Sequence, residues 1–92
     1  MKYNEQSILG RAQLPEDVLL HLPMLHVLGT RRMVIENHCG IQEYTSERIR
    51  VDTHHGQIIC RGRDLMVRAM DREDLWITGR IETVELSGLE EV

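Results

Sequence analysis

The sequence predicts an all-β fold, a small antiparallel sandwich or barrel, on three observations. From Met24 onward the apolar residues recur at period two, as they do on strands with one face buried. Turn residues interrupt these runs at near-regular spacing. A weak repeat of about 16 to 17 residues, long enough for two short strands, runs through the second half.

The elements follow in order. Residues 1–23 read as a helical or extended lead-in. Pro15 suits a first helical position, Glu16 and Asp17 favour its positive end, and Pro23 stops it. Val18, Leu19 and Leu22 give this segment an apolar face. Residues 24–87 read as the sandwich domain, of about seven or eight short strands. Met24 to Leu28 is a strand ended by Gly29-Thr30, and Arg32 to Glu36 is a second. Asn37-His38-Cys39-Gly40 follows as a turn, Ile41 to Tyr44 is a third strand, and Thr45-Ser46-Glu47 turns the chain again. Arg48 to Thr53 alternates cleanly, with Ile49 and Val51 inward. Ile58 and Cys60, Leu65 and Val67, Leu75 and Ile77, and Val84 and Leu86 continue the alternation as four further short strands. Ile49, Val51, Ile58, Cys60, Leu65, Val67, Leu75, Ile77 and Val84 are the expected core. A short acidic tail, 88–92, closes the chain.

The repeat aligns Gly40 with Gly56, and separately Ile58 with Leu75, which superimposes Gly62-Arg63 on Gly79-Arg80. Hairpins in a meander fit it. A short β-solenoid or roll is the alternative, but three imperfect copies with a changing offset are few for one.

Composition narrows the function classes. Ninety-two residues form one domain with a modest core. A net charge of −4 and three aromatic residues, Tyr3, Tyr44 and Trp76, argue against a nucleic-acid surface. Basic residues gather only locally, at Arg31-Arg32 and at Arg61, Arg63 and Arg68. No apolar run approaches the roughly 18 residues of a membrane span, and Met1 to Gly10 has no signal-peptide core. A cytoplasmic protein with Cys39 and Cys60 as reduced thiols is the expectation.

Glu36-Asn37-His38-Cys39-Gly40 invites a catalytic or metal reading. The structural reading is a constrained turn at Glu36, Asn37, His38 and Gly40, with Gly40 at positive φ. His54, His55 and Cys60, joined by His38 and Cys39, invite a zinc proposal, but no paired ligand knuckle is present. Adjacent His54 and His55 in extended chain point to opposite sides. Ser46 and Ser87 lack a nucleophile elbow, and Gly62 and Gly79 are single glycines between strands rather than a phosphate loop. No catalytic residue, metal site or cofactor is assigned. Ile59, Met66 and Trp76 fall on the outward side of the alternation, beside Arg61, Arg68 and Thr78. Such an apolar group is either covered or an interaction face.

Particular residues say more than the pattern. Leu14-Pro15-Glu16-Asp17-Val18, Leu22-Pro23, Ile35-Glu36-Asn37-His38 followed by Gly40, Ile49-Arg50-Val51, Gly56-Gln57-Ile58, Gly62-Arg63 and Leu75 with Ile77 and Gly79 resemble the YabP/YqfC family, in particular its YqfC branch. The Leu-Pro-Glu-Asp-Val and Glu-Asn-His-x-Gly elements are the distinctive ones. The resemblance implies an Ig-like β-sandwich and a non-catalytic role in sporulation, as a structural or protein-interaction module around the developing spore envelope. It also implies a protein partner, with a sporulation membrane protein as the candidate, and no cofactor. A homo-oligomer or a stable hetero-complex through the Ile59, Met66 and Trp76 face is a further expectation. The rival reading is a small metal- or ligand-binding module using His38, Cys39, His54 and His55.

Overall fold

In a computed structural model of the chain, residues 21–88 are described. The expected helical turn at Pro15 and the acidic end after Gly88 lie outside them. The described residues form six strands: β1 (Met24–Leu28), β2 (Arg32–Glu36), β3 (His38–Tyr44), β4 (Arg48–Thr53), β5 (Gly56–Met70) and β6 (Asp74–Ser87). They make one antiparallel sheet in the order β1-β2-β6-β5-β4-β3. The all-β class holds. The expected count of seven or eight strands becomes six, because Ile58–Cys60 and Leu65–Val67 lie on one continuous strand, as do Leu75–Ile77 and Val84–Leu86.

The joining has a physical consequence. The first part of β5 pairs with β4, up to Arg61 against Arg48, while its second part has only β6 beside it. The first part of β6 pairs with β2, up to Thr78 against Arg32. Each long strand therefore serves two four-stranded halves: β3-β4-β5-β6 at one end and β1-β2-β6-β5 at the other. The strands thus make one open hydrogen-bonded sheet of two halves, with which the expected sandwich is broadly compatible.

Bulges between Arg61 and Gly62 and between Arg63 and Met66 mark the junction. There the turns close the ladders: Gly62 and Leu65 donate their N–H groups to the Glu47 and Ser46 carbonyls, and Gly79 and Ile81 donate theirs to Arg31 and Thr30. Backbones pass so closely that a Cβ on Gly62 would overlap the Arg80 carbonyl oxygen. One on Gly79 would come within 2.5 Å of the Asp64 carbonyl oxygen. Only glycine permits this approach.

The halves are related by a pseudo-twofold that exchanges β1 with β3, β2 with β4 and β6 with β5 in the strand order. Ile49↔Cys60 and Val51↔Ile58 in one half correspond to Met33↔Ile77 and Ile35↔Leu75 in the other. The offset is 16 residues on the outer strand and 17 on the shared one. The Ile58-on-Leu75 alignment read from the sequence is this symmetry. The Gly40-on-Gly56 alignment is not.

One hydrophobic cluster runs across both halves: Met33, Ile35, Ile49, Val51, Ile58, Cys60, Leu65, Leu75, Ile77 and Ile81. Seven of the nine expected core residues belong to it, and Val67 and Val84 pack against it partly buried. Met33, Ile35 and Ile81 join the core as residues the alternation did not single out. Burying a Leu or Ile side chain is worth about 1.5–3 kcal/mol, so this cluster is the main stabilising term.

Candidate functional site

The Glu36 to Gly40 segment is a corner, and β3 begins within it at His38. Asn37 adopts φ 65° and Gly40 φ 116°, so the expected positive φ at Gly40 is present. The Asn37 side-chain amide donates to the Leu22 carbonyl at 2.8 Å. His38 is buried, with Nε2 2.9 Å from the Asp71 carbonyl. The Gly40 N–H donates to His38 Nδ1 at 3.0 Å, so Nδ1 carries no proton and Nε2–H donates to Asp71. One ring nitrogen thereby braces the β2–β3 corner itself and the other ties it to the β5–β6 turn.

The same turn is closed by the Asp71 carboxylate, which accepts N–H bonds from Glu73 at 2.9 Å and Asp74 at 2.7 Å. The bonds from Asp74 and Glu73 hold its carboxyl below the ordinary value of 3.8. The buried imidazole thus has a backbone partner at each ring nitrogen.

The residues of the zinc reading differ in their surroundings. Cys60 is buried in the core cluster, where loss of solvation pushes its thiol up to about 11. Cys39 is exposed. His54 packs on His21, ring centroids 4.6 Å apart. Among the described residues no three His, Cys, Asp or Glu side chains gather as a metal site. Ser46 lies in the β3–β4 turn, where its carbonyl accepts from Leu65.

The outward face of the sheet differs between the halves. In the β3-β4 half, the row Arg48–Arg61–Thr83 lies beside the row Arg50–Ile59–Glu85. Arg61 meets Glu85 at 2.9 Å, and Glu43 lies 3.3 Å from Arg48 and 3.9 Å from Arg50. Ile59 sits among these side chains at 6% exposure. In the β1-β2 half, the row Leu28–Arg32–Thr78–Met66 lies beside His26–Val34–Trp76–Ala69. Here Leu28, Met66 and Trp76 are 55%, 46% and 44% exposed. The three residues expected to form one apolar face are thus divided. Met66 and Trp76 share a face with Leu28, which the alternation did not point to. Ile59 lies in the other half under a cover of charged side chains.

Beside Met66 a cleft of ≈ 330 Å³ is lined by Arg31, Arg32, Asp64, Met66, Arg68, Thr78 and Gly79. Arg68 Nε donates to the Thr78 hydroxyl at 3.0 Å. Sequence reasoning placed Arg31-Arg32 and Arg68 in separate local groups. The pairing of Arg32 with Thr78, and of Thr78 with Met66, brings them together.

The YabP family profile matches residues 22–91, most of the chain. The chain belongs to the YabP family. It is also 30% identical over 84 residues to the uncharacterized protein YqfC of Bacillus subtilis (strain 168), covering 90% of each. The matched region spans the whole described sheet, so the resemblance read from the Glu-Asn-His-x-Gly corner extends to both halves. Among the described residues, no helix of this YabP-family chain is long and apolar enough to cross a membrane.

Proposed function

We propose that the chain is a non-catalytic protein-interaction module of sporulation, acting in spore envelope development and brought to the envelope by a protein partner. Membership of the YabP family supports the setting. The observation that carries the interaction reading is Trp76, 44% exposed at the position whose counterpart in the other half, Ile59, is 6% exposed. A large ring held in solvent beside Met66 and Leu28 is costly to a lone domain and suits an interface, where Trp, Met and Arg are enriched. The ring nitrogens of His38 are committed to backbone and Cys60 is held as an inert thiol, so the candidate chemistry of the corner has a structural use instead.

The test is made in a spore-forming host whose own gene is replaced by Trp76→Ala. Heat-resistant spore counts should fall toward those of the deletion strain, while the purified variant melts close to the unaltered protein. A deletion strain with normal spore counts removes the sporulation reading. A Trp76→Ala strain with normal counts removes the face.

A further inference from the structure

Rows of side chains on the two halves of the outward face can be compared position by position. The ion pair Arg61–Glu85 has as its counterpart the neutral contact Thr78–Arg68: Thr78 stands 17 residues after Arg61 and Arg68 17 residues before Glu85. Where the first half carries an acid to neutralise its arginine, the second half carries another arginine. Arg48, which has Glu43 beside it, corresponds to Arg32. Among the described residues, Arg31, Arg32 and Arg68 make none of the ion pairs, all of which lie elsewhere. The cleft they line holds one aspartate, Asp64, against three arginines, an excess of two positive charges on a chain whose net charge is −4.

Uncompensated like charges held within one cleft repel each other and are relieved by an opposing anion. An arginine fork binds carboxylates in bidentate fashion. The apolar side chains beside the cleft add desolvated contact area that a free ion cannot use, but a peptide can. A second copy docking through the same face across a twofold would set these arginines against their own equivalents, and charge complementarity disfavours it.

We infer that the Arg31, Arg32 and Arg68 cleft, with Thr78, receives carboxylate side chains from an acidic segment of a partner protein whose apolar residues cover Trp76, Met66 and Leu28. The inference rests on the interaction reading above and specifies the partner's chemistry. It commits to a hetero-complex, not a homo-oligomer.

The full chain is immobilised and used to select from a random-peptide library, in parallel with the double variant Arg32→Glu/Arg68→Glu. Both substitutions are at exposed positions, and melting temperature verifies folding. Peptides selected by the unaltered chain should be enriched in Asp and Glu together with large apolar residues. They should bind the double variant about tenfold more weakly or worse, and that variant should instead select peptides rich in Lys and Arg. Binding should shift the emission of Trp76, the single tryptophan. Peptides without acidic enrichment, or acidic peptides that bind both chains equally, overturn the inference. So does a chain that dimerises in sedimentation with a Trp76-dependent contact indifferent to Arg32→Glu/Arg68→Glu. A failed selection alongside a Trp76→Ala sporulation defect rejects the acidic partner alone. Selected peptides alongside normal spores reject the sporulation setting alone.

Discussion

The two halves of the sheet are built on one plan and finished differently. Inward, they match: Ile49 and Val51 in one half and Met33 and Ile35 in the other are all fully buried. Outward, one half has sealed itself. Glu85 neutralises Arg61, Glu43 sits by Arg48 and Arg50, and Ile59 is closed beneath them. The other half keeps Trp76, Met66 and Leu28 in solvent and gathers three arginines with a single aspartate. Their edge strands diverge too. β3 carries Glu43, is broken by register shifts and ends in Tyr44, whose hydroxyl accepts the Val67 N–H at 2.9 Å. β1, Met-Leu-His-Val-Leu, has no charged residue apart from what His26 supplies. Since the same plan can be sealed, the open half is not a limit of the fold.

The largest effect expected tests the plan itself. Gly62→Ala drives a Cβ into the Arg80 carbonyl and should cost about 4 kcal/mol or more, with Gly79→Ala close behind, read as lost urea midpoints. Two comparable losses confirm equivalent junctions. An unchanged midpoint for either variant breaks the symmetry at its centre.

The next pair separates sealed from open. Ile59→Ala should destabilise by about 2–4 kcal/mol, as for a buried branched side chain, and Trp76→Ala by about 1 kcal/mol or less. The reverse order would mean that Trp76 is the core residue and the comparison is inverted.

A smaller difference lies within the core. Cys60 stands where the other half has Ile77, and its folded thiol is raised from 9.0 to about 11. The folded state keeps this proton more tightly than the unfolded chain does. Its contribution is therefore complete below pH 9.0 and is lost as pH rises toward about 11. Cys60→Val should flatten the alkaline limb of the melting-temperature profile, and a limb unchanged in the variant assigns that loss to other groups.

The smallest effect concerns the exposed charges. Arg61→Ala should cost about 0.2–1 kcal/mol, because it breaks an exposed pair, and salt should mask the loss. Arg32→Ala should cost nothing measurable or stabilise slightly, since it relieves repulsion. A marked loss at Arg32 would show that the cleft is already neutralised within the chain.

The sequence by itself determined the inward face. Strict period two puts Ile49 and Val51, Ile58 and Cys60, and Leu75 and Ile77 on one side of their strands whatever the strands pair with. Glycine at position 40 likewise announced its positive φ, because the local Glu-Asn-His-x-Gly chemistry demands it. Alternation also placed Ile59, Met66 and Trp76 outward, but could not say which neighbours each would have. That depends on pairing across the sheet. Register set Glu85 against Ile59 and Ala69 against Trp76, and set Met66 and Arg32 on either side of Thr78. Strand number was hidden for the same reason: Gly62-Arg63 and Gly79-Arg80 look like turns locally, and only their mutual hydrogen bonding makes them bulges in continuous strands. Burial against solvent is read along one strand. Charge balance, cover and the open face of this protein are properties of strands far apart in the chain, and only the tertiary structure decided them.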